Sequence, residues 1–206
     1  MAETIQDIKI ILLGETGVGK TNLINAICDL EFQTNPGSTS GSYCMENEYK
    51  YKNNSYIYSI WDTAGQERYR SVNKFIIRGS KIILIVYSID NKKSFNEVNY
   101  WINYVKENLG DDKYIMALVA NKSDLDEYEK VKYEEGLEVA KKYEIEFLTT
   151  SALNQRKIFK EFVNKLIEIY IEKYIGKENI GNGNVNKNLI INSKEKNDNN
   201  NQKKCC

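Results

Sequence analysis

Short, almost unbroken apolar runs alternate along this chain with longer stretches in which apolar side chains recur every three or four positions. The short runs read as strands buried on both faces, and the longer stretches read as helices with one apolar stripe. Residues 8–13 (IKIILL), 82–88 (IILIVYS) and 114–120 predict three buried strands, with 145–150 a shorter fourth. The run at 82–88 is the most hydrophobic and predicts a central strand. Tyrosine-rich segments at 43–51 and 56–62 predict two further strands flanking Asn53-Asn54, read as a hairpin turn. Helical spacing covers 21–30, 94–109, 131–143 and 155–174. In the second of these, Phe95, Val98, Trp101, Ile102 and Val105 form the stripe. Alternating strands and helices imply right-handed crossovers. The predicted fold class is therefore α/β, a six-stranded mostly parallel sheet with one antiparallel edge strand and helices on both faces.

The pattern stops near residue 175. Residues 175–206 are rich in Asn, Gly and Lys and cannot bury enough apolar area to offset the entropy of ordering. The expected organisation is one domain over 1–174 and a disordered tail over 175–206, modestly net positive, acting as a flexible tether. No run reaches the about 18–20 apolar residues of a membrane span. The first residues lack a basic n-region, and Ala2 stands where N-myristoylation needs Gly. Composition narrows the chemistry. The chain has 29 basic and 29 acidic side chains, which argues against a nucleic-acid-coating protein. It has 0 His, which excludes a Ser-His-Asp triad and a His-ligated zinc site. Its 4 Cys are too few for a disulfide framework.

The first strand runs directly into Gly14-Glu15-Thr16-Gly17-Val18-Gly19-Lys20-Thr21, a G-x-x-x-x-G-K-[ST] sequence opening a predicted helix. Glycines allow backbone to wrap closely around phosphate oxygens, and the N–H groups with the positive helix end face the anion. In this motif Lys20 reaches the β- and γ-phosphates and the Thr21 hydroxyl ligates Mg²⁺. The base is read elsewhere. Asn121-Lys122-Ser123-Asp124 follows a buried strand, and a carboxylate there accepts two hydrogen bonds from guanine N1–H and its 2-amino group. Adenine has no such donor pair, so Asp124 would be left unpaired against it. Ser151-Ala152-Leu153 follows the last strand and would offer a backbone N–H to guanine O6.

GETGVGKT, DTAGQE, NKSD and SAL, in that order over roughly residues 8–174, resemble the motif set of the Ras-superfamily small GTPases. Within that superfamily, WDTAGQERYRS, FIIRGS and IVYSID are similar to the Rab pattern, and the terminal Cys205-Cys206 resembles the Rab double geranylgeranylation signal. The resemblance implies a slow GTPase that binds GTP or GDP with Mg²⁺ and switches vesicle and membrane trafficking through effectors bound in the GTP state. Glu15, Thr16, Gly17, Val18, Gly19, Lys20 and Thr21 would hold the phosphates. Asn121, Lys122, Asp124, Ser151, Ala152 and Leu153 would hold guanine, with Phe32 stacking at the family's spacing from Lys20. Thr21, Thr39 and Asp62 would serve the metal, Asp62 through a water. Thr39 and Gly65 would sense the γ-phosphate, and Gln66 would orient the attacking water as the catalytic residue. No arginine in the P-loop or switch I clearly acts in cis, so an activating protein would supply one.

The implied partners are an exchange factor, a GTPase-activating protein, a GDP-dissociation inhibitor, effectors and a membrane reached through two geranylgeranyl groups. No nucleic acid is implied, and the domain would be monomeric. The implied location is the cytoplasmic face of an intracellular membrane, with a cytosolic pool. Switch I departs from the Rab pattern, reading Ser40-Gly41-Ser42-Tyr43-Cys44. The family's aromatic trio for effectors maps to Cys44, Trp61 and Ile76, so one aromatic remains. Ser88 and Leu153 replace a common Asp and Lys.

Overall fold

The computed structural model describes residues 4–34, 43–62 and 74–175, and it gives no side-chain placement for 4–7, 43, 74 and 75. Six strands form one sheet: β1 (Thr4–Leu13), β2 (Tyr43–Tyr51), β3 (Asn54–Asp62), β4 (Ile82–Ser88), β5 (Ile115–Asn121) and β6 (Glu146–Thr149). Their order is β2-β3-β1-β4-β5-β6. Every neighbouring pair is parallel except β2 with β3. The predicted architecture, with its antiparallel edge, is the one observed.

The described helices are α1 (Lys20–Ile27), α2 (Lys74–Ile77), α3 (Lys92–Asn96), α4 (Val98–Leu109), α5 (Tyr133–Tyr143) and α6 (Arg156–Tyr170). Alternation along each strand divides the core in two. Ile8, Ile10, Leu12, Leu84, Val86, Ala117 and Val119 pack with α1 and α6 on one face. Ile11, Leu13, Ile83, Ile85, Tyr87, Met116 and Leu118 pack with α4 and α5 on the other. Side chains on both faces are buried, so the strands read as continuous apolar runs. Each such side chain contributes about 1.5–3 kcal/mol relative to exposure.

Several boundaries differ from the sequence reading for local reasons. The hairpin turn is Lys52-Asn53, because Asn54 already pairs with Tyr51. Lys52 takes the left-handed conformation there, with φ 54. The single helix predicted over 94–109 is two helices that meet at Glu97. The first starts earlier because the Asn91 side chain accepts from the Ser94 N–H at 3.2 Å and caps it. Helix α1 ends at Ile27, before residue 30, because the chain turns at Asp29, φ 56. The last helix continues beyond Tyr170 as a wider π turn, Ile171–Ile175. No helix among the described residues is long and apolar enough to cross a membrane.

Candidate functional site

The parallel strands bring four of the predicted motif segments to one end of the sheet. β1 leads into residues 14–19, β3 ends at Asp62, β5 ends at Asn121, and β6 leads into Thr150, Ser151 and Ala152. Open α/β sheets bind ligands at this carboxyl end.

The loop after β1 has the backbone that its glycines permit. Gly14, Gly17 and Gly19 have φ 146, 80 and 95. At two of them the space is also closed. A Cβ on Gly14 would lie 2.0 Å from the Val86 carbonyl oxygen, and one on Gly19 would lie 2.4 Å from Asn121 Nδ2. Only Gly17 has open space around it. Helix α1 begins with Gly19 as a left-handed cap, without a capping side chain and without an acid in the first turn. The first turn of α1 therefore carries no side chain that would repel an anion at the positive end of the helix. The Lys20 ammonium is buried and donates to the carbonyls of Gly14 at 2.8 Å and Glu15 at 3.0 Å. Those bonds hold a positive charge inside the loop. Thr16 is exposed and Val18 buried.

Beside the loop, the Thr21 hydroxyl donates to Asp62 Oδ2 at 2.9 Å. Asp62 is only 3 % exposed. A hydroxyl and a buried carboxylate are hard oxygen donors of the kind Mg²⁺ takes. Among the described residues no group of three or more His, Cys, Asp or Glu could hold a metal. The pair fits Mg²⁺ by the chemistry of its donors.

Asn121 ties three segments together. It is 0 % exposed. Its Nδ2 donates to the Val18 carbonyl at 2.7 Å, and its Oδ1 accepts from the Ala152 N–H at 3.1 Å. Its backbone carbonyl accepts from the Ile89 N–H at 3.1 Å. Lys122 then takes the left-handed conformation, φ 63, which turns the chain toward Asp124. The Ser151 hydroxyl donates to Asp124 Oδ1 and accepts from the N–H groups of Leu153 at 3.1 Å and Asn154 at 3.0 Å. That relay fixes one carboxylate oxygen of Asp124.

Between these groups lies a cleft of about 180 Å³ lined by Gly19, Phe32, Asn121, Lys122, Asp124, Ala152 and Leu153. Phe32 is half-buried against the core on the α1 side of the sheet. Leu153 is 47 % exposed at the rim. Asn22 and Leu125 also line the cleft, and the sequence reading did not include them. Asn22 carried one overlooked signal, an amide on the buried face of α1 immediately after Thr21. Thr39, Gly65, Gln66, Cys205 and Cys206 lie outside the described residues. Of the mapped aromatic trio, Cys44 is exposed and stands opposite Trp61 in the β2–β3 register. Lys9 Nζ sits 4.8 Å from the centre of the Trp61 ring.

Comparison with known proteins agrees with this geometry. Residues 9–171 match the Ras family model. The chain is 37% identical over 187 residues to Ras-related protein Rab-11B of Dictyostelium discoideum, covering 89% of this chain and 84% of that protein. It is 36% identical over 162 residues to Ras-related protein Rab2BV of Beta vulgaris, covering 79% of this chain and 75% of the relative. Identity to Ras-related protein rab-11.1 of Caenorhabditis elegans is 33% over 178 residues, 85% of this chain and 84% of the relative. The matched span runs from β1 into the π turn, so it takes in every described segment around the cleft. The chain belongs to the Ras family of small GTPases and is Rab-like.

Proposed function

We propose that this protein is a guanine-nucleotide switch of vesicle and membrane trafficking that binds GTP or GDP and hydrolyses GTP. The observation that carries the proposal is the convergence of a phosphate-type loop, the Asn121 tie and the Ser151-oriented Asp124 on one cleft beside Phe32. Glu15, Thr16, Gly17, Val18 and Gly19 present backbone N–H groups to the phosphates, and Lys20 supplies charge at their β- and γ-oxygens. Asp124 accepts from guanine N1–H and the 2-amino group. Ala152 and Leu153 offer N–H groups toward O6, Lys122 covers the base, and Phe32 stacks on it.

Thr21 and Asp62 are the described residues that would hold Mg²⁺, with Thr39 completing the set in the GTP state. When bound, Mg²⁺ neutralises charge on the phosphate oxygens. Gly65 donates its N–H to the γ-phosphate, and Gln66 orients the attacking water. Phosphoryl transfer relies on positioning and charge stabilisation, so a chain without histidine can perform it. Intrinsic turnover is slow, and an arginine from an activating protein accelerates it by about 10³–10⁵.

Loss of the γ-phosphate removes the contacts of Thr39 and Gly65 and so changes effector binding. An exchange factor and a GDP-dissociation inhibitor complete the cycle. Residues 1–174 act as the switch domain and 175–206 as its tether, with geranylgeranyl groups on Cys205 and Cys206. Two chains satisfy the requirement for stable anchoring, where one is marginal. This places the protein on the cytoplasmic face of an intracellular membrane, with a cytosolic pool. Single-turnover hydrolysis of bound GTP tests the switch. The wild type turns over slowly, and Gln66→Leu lowers the rate by about tenfold or more. Absence of turnover in the wild type, even with an activating protein, contradicts the proposal.

A further inference from the structure

Phe32, the aromatic wall of the cleft, stands on a segment that α1 grips through its asparagines. Asn22 is 6% exposed, and its side chain pairs with the backbone of Gln33 in both directions. Its Nδ2 donates to the Gln33 carbonyl at 2.9 Å, and its Oδ1 accepts from the Gln33 N–H at 2.9 Å. An amide used this way acts as one residue of a strand partner and fixes both the position and the orientation of the peptide it holds. Gln33 is otherwise exposed, so this pair is what ties it to the domain. The preceding residues are held by other groups. Asn25 Nδ2 donates to the Glu31 carbonyl at 3.3 Å, and Arg156 donates to the carbonyls of Asn25 and Leu30.

Asn22 also lines the cleft, and it directly follows Thr21, the residue that faces Asp62. One helical turn thus joins the base-side wall to the phosphate end. A buried amide in this position is not needed for packing, since an apolar side chain of equal size would fill the same space.

We infer that Asn22 is a positioning residue for the nucleotide: its two hydrogen bonds to Gln33 hold Phe32 against the base and so set the rate at which bound nucleotide escapes. The inference rests on the guanine-nucleotide reading and adds to it a latch. Without the pair, Gln33 loses its tie to α1 while Glu31 keeps its bond to Asn25, and Phe32 between them is no longer fixed across the cleft. Nucleotide then leaves faster without any change in the groups that touch phosphate or the base edge. An exchange partner that broke this one pair would open the same wall.

The test is release of a fluorescent GDP analogue from the Mg²⁺-loaded full chain. Asn22→Ala removes the side chain, and Asn22→Leu keeps its bulk while removing both hydrogen bonds. Both variants are expected to release the analogue about tenfold faster than the wild type. In a Phe32→Ala background, adding Asn22→Leu is expected to change release by less than about twofold, because the latch then holds nothing against the base. Unchanged release in both single variants overturns the inference, as does full additivity with Phe32→Ala. Amide exchange in the GDP-loaded wild type reads the latch even if the variants do not fold. The Gln33 N–H is expected to exchange at least about tenfold slower than an unprotected amide, and an unprotected rate there overturns the inference. A wild type that fails to retain the analogue at all defeats the guanine-nucleotide reading itself, whereas rapid Gln33 exchange with tight retention defeats only the latch.

Discussion

The two ends of this molecule use polar side chains in opposite ways. At the carboxyl end of the parallel strands, Lys20, Asn22, Asp62, Asn121 and Ser151 are buried and hydrogen-bonded, mostly to backbone. At the β2–β3 hairpin, polar groups meet at the surface. Tyr49 donates to Glu168 at 2.5 Å, Tyr51 donates to Glu172, and Lys52 lies 3.4 Å from Glu172. Both regions join segments far apart in sequence. A buried group that loses its partner bears the full desolvation penalty, whereas an exposed one takes a water instead. The cleft is therefore constrained position by position, while the hairpin edge tolerates change.

The glycines of the cleft are expected to be the least tolerant positions. Gly19→Ala puts a methyl group 2.4 Å from Asn121 Nδ2 on a backbone with φ 95. The predicted result is at least a roughly 100-fold loss of GDP affinity by equilibrium titration, because the loop and the Asn121 tie cannot both keep their places. Gly17→Ala meets nothing within 4 Å and carries only the strain of φ 80. It is predicted to lower affinity by no more than about tenfold.

Asn121→Ala comes next. It orphans the Val18 carbonyl and the Ala152 N–H at once. The predicted loss is about 2–4 kcal/mol of stability by denaturant unfolding, with nucleotide binding weakened in parallel.

The hairpin edge gives the smallest effects. Tyr51→Phe is predicted to lower the melting temperature by roughly 1–2 °C and to leave GDP affinity unchanged. The Tyr51 hydroxyl bond, followed by Lys52, holds the Glu172 carboxyl below its ordinary value of 4.5. Its folded value is depressed, so this contribution is fully present above about pH 4.5 and is lost as the pH falls through the lowered value. A melting series below pH 5 with Tyr51→Phe alongside the wild type checks it, the two curves converging as the acid protonates Glu172. At the same edge, the Glu172 hydrogen bond raises the Tyr51 hydroxyl above its ordinary value of 10.0, so that contribution is lost only in strong alkali.

The contrast also explains how much was legible in advance. Strands buried on both faces leave continuous apolar runs, so the predicted bounds of β4 match the observed ones and those of β5 lie within one residue. The cleft residues were legible because their geometry admits few alternatives: Gly14 and Gly19 fit only where no Cβ exists, and Asn121 must donate and accept at once. Interactions without such constraint left no trace. Nothing in the residue types of Asn22 and Gln33 marks them as partners, since asparagine serves equally in turns, caps and solvent. The Tyr–Glu pairs of the hairpin edge link residues more than a hundred positions apart, and partly exposed tyrosines and glutamates are unremarkable singly. The break at Glu97 leaves no mark in the pattern because the apolar spacing continues across it, while the Asn91 side chain that caps the short α3 lies outside that spacing.

The proposed guanine specificity rests on Asp124, held by Ser151. Its most direct measurement is competition of GTP and ATP against a bound fluorescent GDP analogue in the presence of Mg²⁺. A site that pairs a carboxylate with two donors of the base rejects a base lacking them by roughly 10⁴-fold. GTP is expected to displace the analogue near stoichiometry and ATP to show a deficit of that order, narrowed by Asp124→Asn. Equal displacement by the two nucleotides in the wild type would contradict it.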